Sequence, residues 1–182
     1  MKKILRSIIE IAARSFISKI FFRLVIHSFS LFGKVWGFFW VRSILDVPPN
    51  SNCHWSVQIK YPKNIKISGP IMISPGCVLG AKETIIFGSQ VRLSQGVHIE
   101  TASLDLNSGL PYKHVAYPIR IGDGVWLGAH VIVLGGVTIG ANAVVGAGVV
   151  VSKDIPADAI VVGTGYRYIE KKANYQDEIC IY

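Results

Sequence analysis

The sequence predicts a β fold, a parallel β-helix of triangular cross-section preceded by a basic, apolar helical segment. Three observations predict it. The C-terminal half repeats with a strict period of six, a looser copy of that beat runs upstream, and composition changes sharply near residue 48. One large aliphatic series occupies Ile121, Leu127, Val133, Ile139, Val145 and Val151. A second, four residues on, occupies Val125, Val131, Val137, Ala143, Val149 and Ile155. Neither a helix nor a simple strand gives a period of six, because their side chains recur at 3.6 and 2. Six residues per face and eighteen per turn describe a three-sided coil.

Each position in the repeat has a physical cause. The first aliphatic points into the prism and stacks on its equivalents above and below. Gly122, Gly128, Gly140 and Gly146 follow that series, either to reach positive φ or to allow tight contact at a corner. The second apolar residue is small because the corner is crowded, and outward positions such as Asp123 and Asn142 are polar. Upstream, Ile67, Ile73 and Leu79 keep the beat, the spacing slips to eight, and Phe87, Leu93 and Ile99 resume it. From about 103 to 118 the beat is absent. That stretch holds Asn107-Ser108-Gly109 and Pro111, so one long loop should leave the prism there.

The 182 residues, 51% apolar and 16% charged, suffice for one domain with a core plus an appendage, and make disorder a poor fit. Net charge is +8, and it is concentrated: residues 1–42 hold eight Lys/Arg against one acid, Glu10. A segment both basic and apolar fits an anionic membrane surface better than nucleic acid, and no nucleic-acid module or downstream basic patch follows. Residues 2–25 read as an amphipathic helix. A second stretch, Phe29–Val41, is rich in Phe and Trp, with Gly33 and Gly37 as breaks, and Pro48 and Pro49 close the region. Arg6 and Glu10 argue against a signal peptide. An in-plane membrane helix is the first expectation. Helices packed on the protein or its trimer mates, and a true span carrying Arg23, His27 and Lys34, are the alternatives. The organisation expected is therefore a helical segment over 1–48, a β-helix over 49–169 and a tail over 170–182.

Cys53, Cys77 and Cys180 are few, odd in number and widely spaced, which suits a reducing cytosol without a disulfide framework or zinc site. Cys77 falls on a small apolar repeat position and reads as core.

The stretch Pro118-Ile-Arg-Ile-Gly-Asp-Gly-Val-Trp-Leu-Gly-Ala-His130, continuing through Gly136-Val-Thr-Ile-Gly140, Val145-Gly-Ala-Gly148 and Ser152-Lys-Asp-Ile-Pro156, resembles the hexapeptide-repeat acyltransferases, in particular the sugar O-acetyltransferases. The resemblance covers about 65–169. It implies a left-handed coil, against the usual crossover rule, and a homotrimer that holds acetyl-CoA between prisms. It also implies a cytoplasmic enzyme that acetylates a sugar or lipid-linked saccharide hydroxyl in surface polysaccharide or glycolipid synthesis. The basic segment would keep it on the inner face of the cytoplasmic membrane.

The coenzyme positions that match are Ala129, Ala147, Ser152, Lys153 and Arg167. The last lies in Gly163-Thr-Gly-Tyr-Arg167, where the family often has Gly-Asn-Pro-Ala-Arg. The general-base His of the family falls on Leu104 of Thr101-Ala-Ser-Leu-Asp105, and Leu cannot accept a proton. The remaining candidates for the base are His114, before the coil resumes, and His98, on the coil entering the loop. Asp105 could orient an imidazole or cap the loop. His130 and Trp126 read first as surface or corner residues and second as groove lining. A metal site of the carbonic-anhydrase kind fits poorly, since His98, His114 and His130 include no close pair. A trimeric scaffold without a base is the non-enzymatic alternative.

Overall fold

The computed structural model describes residues 16–163 and the backbone of 167–169. The amphipathic stretch expected before Phe16 lies outside the described residues, as do Cys180 and the tail. The architecture is a parallel β-solenoid closed at its N-terminal end by one helix.

Three parallel sheets form the faces. Face one stacks Asn52–Cys53, Ile71–Ile73, Val91–Leu93, Trp126–Leu127, Val144–Val145 and Ile160–Val162, and Arg167–Ile169 adds an antiparallel edge. Face two stacks Gln58–Lys60, Val78–Gly80, His98–Glu100, Ile132–Leu134 and Val150–Val151. Face three stacks Ile65–Ile67, Ile85–Phe87, Ile119–Ile121 and Thr138–Ile139. All twelve residues of the two sequence series are at most 3% exposed. Like side chains stack in register, as in Ile67, Phe87 and Ile121 on face three.

The beat departs from eighteen residues at defined places. Upstream coils are two residues longer, so that Cys53, Ile73 and Leu93 align. The last coil is two residues shorter. Ile155 therefore aligns with Ile139 of the first series, not with the second series where the spacing of six would put it.

The corner has two special positions rather than one. The glycines after the first series serve close approach: a Cβ on Gly122 would lie 2.7 Å from the Ala141 nitrogen. Positive φ falls two residues later, at Gly124, His130, Gly136, Asn142 and Gly148, and so itself recurs every six residues.

The helix, α1, runs unbroken over Phe16–Ile44. Gly33 and Gly37 are not breaks. They form a notch one turn apart on which Trp55 of the first coil lies, and a Cβ at Gly37 would stand 2.8 Å from the Trp55 backbone nitrogen. One turn further, Val41 and Leu45 are buried with Val47 and cap the open end of the prism core. The glycines cost helix propensity, and that cost is offset by closer packing of α1 on the prism. Gly37→Val is expected to push Trp55 off the helix and lower stability by about 1–3 kcal/mol, read as a drop in melting temperature by circular dichroism.

The long excursion is a β-hairpin, Ala102–Asp105 against Lys113–Ala116, and not an unstructured loop. Pairing satisfies backbone groups that a free loop of this length would leave to water. Thr101 pins its root. Buried completely, it donates from Oγ1 to the Gly80 carbonyl and accepts from the Glu83 N–H, while its own carbonyl accepts from the Tyr117 N–H.

Candidate active site

Two corners and the face between them carry the chemistry-bearing residues. At the corner from face one to face two, Ala129 and Ala147 sit one above the other, and the Gly148 N–H donates to the Ala129 carbonyl at 2.8 Å. With Gly128, Gly146, Ser94 and Trp126 they line an open, mainly apolar groove running up the corner. The repeat produces this track directly. Small residues recur there because the next coil approaches closely: a Cβ on Gly128 would meet the Ala147 nitrogen at 2.7 Å.

Trp126 forms one wall of the groove. Its indole, half exposed, donates from Nε1 to Ser94 Oγ at 2.9 Å and is held across the sheet. His130 stands at the same corner with φ of 57°, its imidazole packed over Gly96.

Ser152 and Lys153 lie exposed on the next corner, between Val150–Val151 on face two and Ile155. Arg167 pairs through its backbone with Val162, on the outer antiparallel strand of face one. Within one protomer, then, Ala129 and Ala147 come together, while Ser152, Lys153 and Arg167 sit on other edges.

His98 projects from face two, paired in register with Ile132. Its Nε2 is 4.0 Å from Glu100 Oε2, two residues along the same strand and so on the same side. Glu100 also accepts from the Ala102 N–H through Oε1, at the hairpin root. The motif reading passed over Glu100. Its signal was the i, i+2 spacing to His98 on a strand, which puts a carboxylate beside the imidazole.

His114 is on the returning hairpin strand, directly opposite Leu104, and both are exposed. Opposed residues of an antiparallel pair share a side, with Cβ atoms about 5 Å apart. The imidazole of His114 therefore occupies the neighbourhood of Leu104, one strand over. Asp105 opposes Lys113 instead, on the other side of the ribbon. Its carboxylate accepts from the Asn107 N–H at 3.0 Å and its carbonyl from Ser108 Oγ, so Asp105 holds the hairpin tip.

The two described thiols, Cys53 and Cys77, take no part. Burial pushes the Cys53 thiol up to about 11 and raises that of Cys77 as well, so both stay protonated at neutral pH. Cys77 is wholly buried core, with its sulfur on the Ser94 carbonyl at 3.2 Å. Among the described residues no cluster of three His, Cys, Asp or Glu could hold a metal ion.

A parallel solenoid with this six-residue corner chemistry and an axial groove of small residues defines a hexapeptide-repeat β-helix protein. Residues 118–153 match the family described as bacterial transferase hexapeptide (six repeats), the segment where the beat is unbroken. The chain is similar to the galactoside O-acetyltransferase of Escherichia coli K12, 32% identical over 117 residues, or 63% of this chain and 58% of that protein. Its fold is similar to a maltose O-acetyltransferase of Clostridium difficile 630 at 35% identity and TM-score 0.58, covering 63% of each chain. It also resembles a hexapeptide-repeat acetyltransferase of Vibrio cholerae solved with acetyl coenzyme A, at 33% identity and TM-score 0.59, covering 63% of this chain and 64% of that one. The chain spans little more than half the length, 56–58%, of the curated relatives it matches.

Proposed function

We propose that this protein is an acetyl-CoA-dependent O-acetyltransferase acting on a sugar hydroxyl, in the synthesis of a surface polysaccharide or glycolipid. The observation that carries this reading is the stacked Ala129–Ala147 groove, walled by Trp126, at the edge of a face that also bears His98 and leads to His114. An extended pantetheine arm needs a narrow track of small side chains with backbone amides at its rim. Lys153 and Arg167 supply cations suited to coenzyme phosphates.

The chemistry follows from the groups available. The acceptor hydroxyl oxygen attacks the thioester carbonyl carbon as an imidazole takes the hydroxyl proton. The tetrahedral intermediate collapses with cleavage of the carbon–sulfur bond, and the leaving thiolate regains a proton. Products are the acetyl ester and free coenzyme A. His114 is assigned as the base because it is an exposed imidazole on the hairpin, directly across from Leu104, the position on which the general base of the resembled family falls. A second assignment, His98, draws on the Glu100 carboxylate 4.0 Å from its Nε2, which is placed to orient the imidazole.

The working unit is proposed to be a homotrimer. On face two, Ile132, Leu134 and Val150 are 37–46% exposed and adjacent in register, an apolar strip that a neighbouring prism would cover.

Calorimetry with acetyl-CoA and thiol release with galactoside and maltoside acceptors test the assignment together. Binding with turnover on a sugar acceptor is the expected result. Binding with no turnover across a broad acceptor panel would instead favour a non-catalytic trimeric scaffold, and no binding at all would remove both readings. Ala147 is an outward, exposed residue, so Ala147→Trp should block the groove without disturbing the core. Acetyl-CoA affinity is expected to fall at least about tenfold, or about 1.4 kcal/mol, with the melting temperature unchanged. Unaltered affinity would move the coenzyme off this corner.

A further inference from the structure

We propose that α1 seats the protein on an anionic membrane surface, lying in the bilayer plane with the prism held on its solvent side. This goes beyond the catalytic assignment and does not depend on it. Two seams of α1 carry the inference. The first consists of Gly33, Gly37 and Val41, with Leu45 just past the helix end, all buried against Trp55 and the prism base. At the same three-to-four-residue spacing it continues toward the N-terminus as Ser30, His27, Arg23 and Lys19, exposed beyond the edge of the prism. One line along the helix thus changes from prism contact to basic, and α1 contains no acid.

The second seam lies about half a turn away. Phe21, Leu24, Phe32, Val35 and Phe39 run along it, each 50–66% exposed. It extends past the residues that hold the prism, so packing within the protomer leaves it uncovered from one end to the other. An exposed apolar side, with the cations and the folded domain on the other, matches a helix whose apolar face sinks into the acyl boundary while its long cationic side chains reach the anionic headgroups.

A perpendicular span fits the same helix poorly, although Ser18–Ile44 is apolar and long enough by composition. Trp55 and the first coil lie against α1 from Gly33 onward, so lipid cannot surround that part. The described residues clear of the prism, 18–32, are the ones that would have to enter the hydrocarbon core. They also carry Lys19, Arg23 and His27 along one side.

The test uses the full chain and co-sedimentation with two vesicle types, pure phosphatidylcholine and phosphatidylcholine with roughly a third phosphatidylglycerol. Strong binding to the anionic vesicles, at least about tenfold weaker binding to the neutral ones, and release by high salt are expected. The double variant Lys19→Glu with Arg23→Glu should lose that preference by about tenfold or more while keeping its melting temperature and oligomer size. Phe32→Ser with Phe39→Ser should weaken binding to both vesicle types. Equal binding to the two vesicle types, or none, would overturn the proposal. So would retention in membranes after alkaline carbonate extraction, which would indicate a span. A change of oligomer size in the charge-reversed variant without change in lipid binding would assign the seam to a second copy of the chain.

Discussion

His114→Ala is expected to lower turnover on a sugar acceptor by about two to four orders of magnitude while leaving acetyl-CoA affinity unchanged. The split between the two readouts is the informative part. His114 lies on the hairpin, opposite Leu104 and away from the Ala129–Ala147 groove, so losing it should remove proton transfer and spare coenzyme binding. His98→Ala is the paired control. If His114 is the base, His98→Ala should retain turnover within about tenfold of wild type. The reverse ranking, with Glu100→Gln following His98→Ala, would move the base to the imidazole beside Glu100. Both variants at wild-type turnover would exclude either imidazole.

The second large effect is on stability. Phe87 is the largest wholly buried side chain of the prism and stacks in register between Ile67 and Ile121. Phe87→Ala should cost about 3–5 kcal/mol, a large share of a total stability of about 5–15 kcal/mol. At this chain length that corresponds to a fall in melting temperature of about 6–20 °C, measurable by circular dichroism. Solenoid coils contact only their neighbours, so the lost contacts belong to three successive coils. Phe87→Leu, which keeps most of the volume, should cost much less. An alanine variant melting within a degree of wild type would mean that the stack can collapse around the void.

Much of the fold was legible because the repeat is simple. Every inward position is dictated by one requirement, an apolar side chain that fits a narrow prism, and Ile121 to Val151 declare it every six residues. The exceptions were legible only in part. Ile155 continues the arithmetic of the second series yet stands over Ile139, because the last coil closes two residues early and register follows hydrogen bonds, not counting. Gly33 and Gly37 have the composition of helix breaks. Their role depends on Trp55, about twenty residues on, whose ring needs the space two missing Cβ atoms leave.

The candidate site divides in the same way. Ala129 and Ala147 were readable as neighbours because eighteen residues return the chain to the same corner. The relation of His114 to Leu104 was not, since hairpin register is set by where the tip turns, through Asp105, Ser108 and Lys113. That register also put Asp105 on the opposite side from the imidazole. Glu100 escaped notice because its value lies in the His98 side chain and the Ala102 amide that surround it.

By itself, then, the sequence determined a triangular parallel coil, its inward residues and the basic, apolar nature of its first forty residues. All of these follow from local periodicity and composition, which act over a few residues at a time. Only the tertiary structure decided that α1 is one helix clasped by Trp55, that the excursion is a paired hairpin, and which imidazole faces which neighbour. Most of those outcomes turn on contacts between separate elements of the chain, where packing and hydrogen-bond register outweigh local preference.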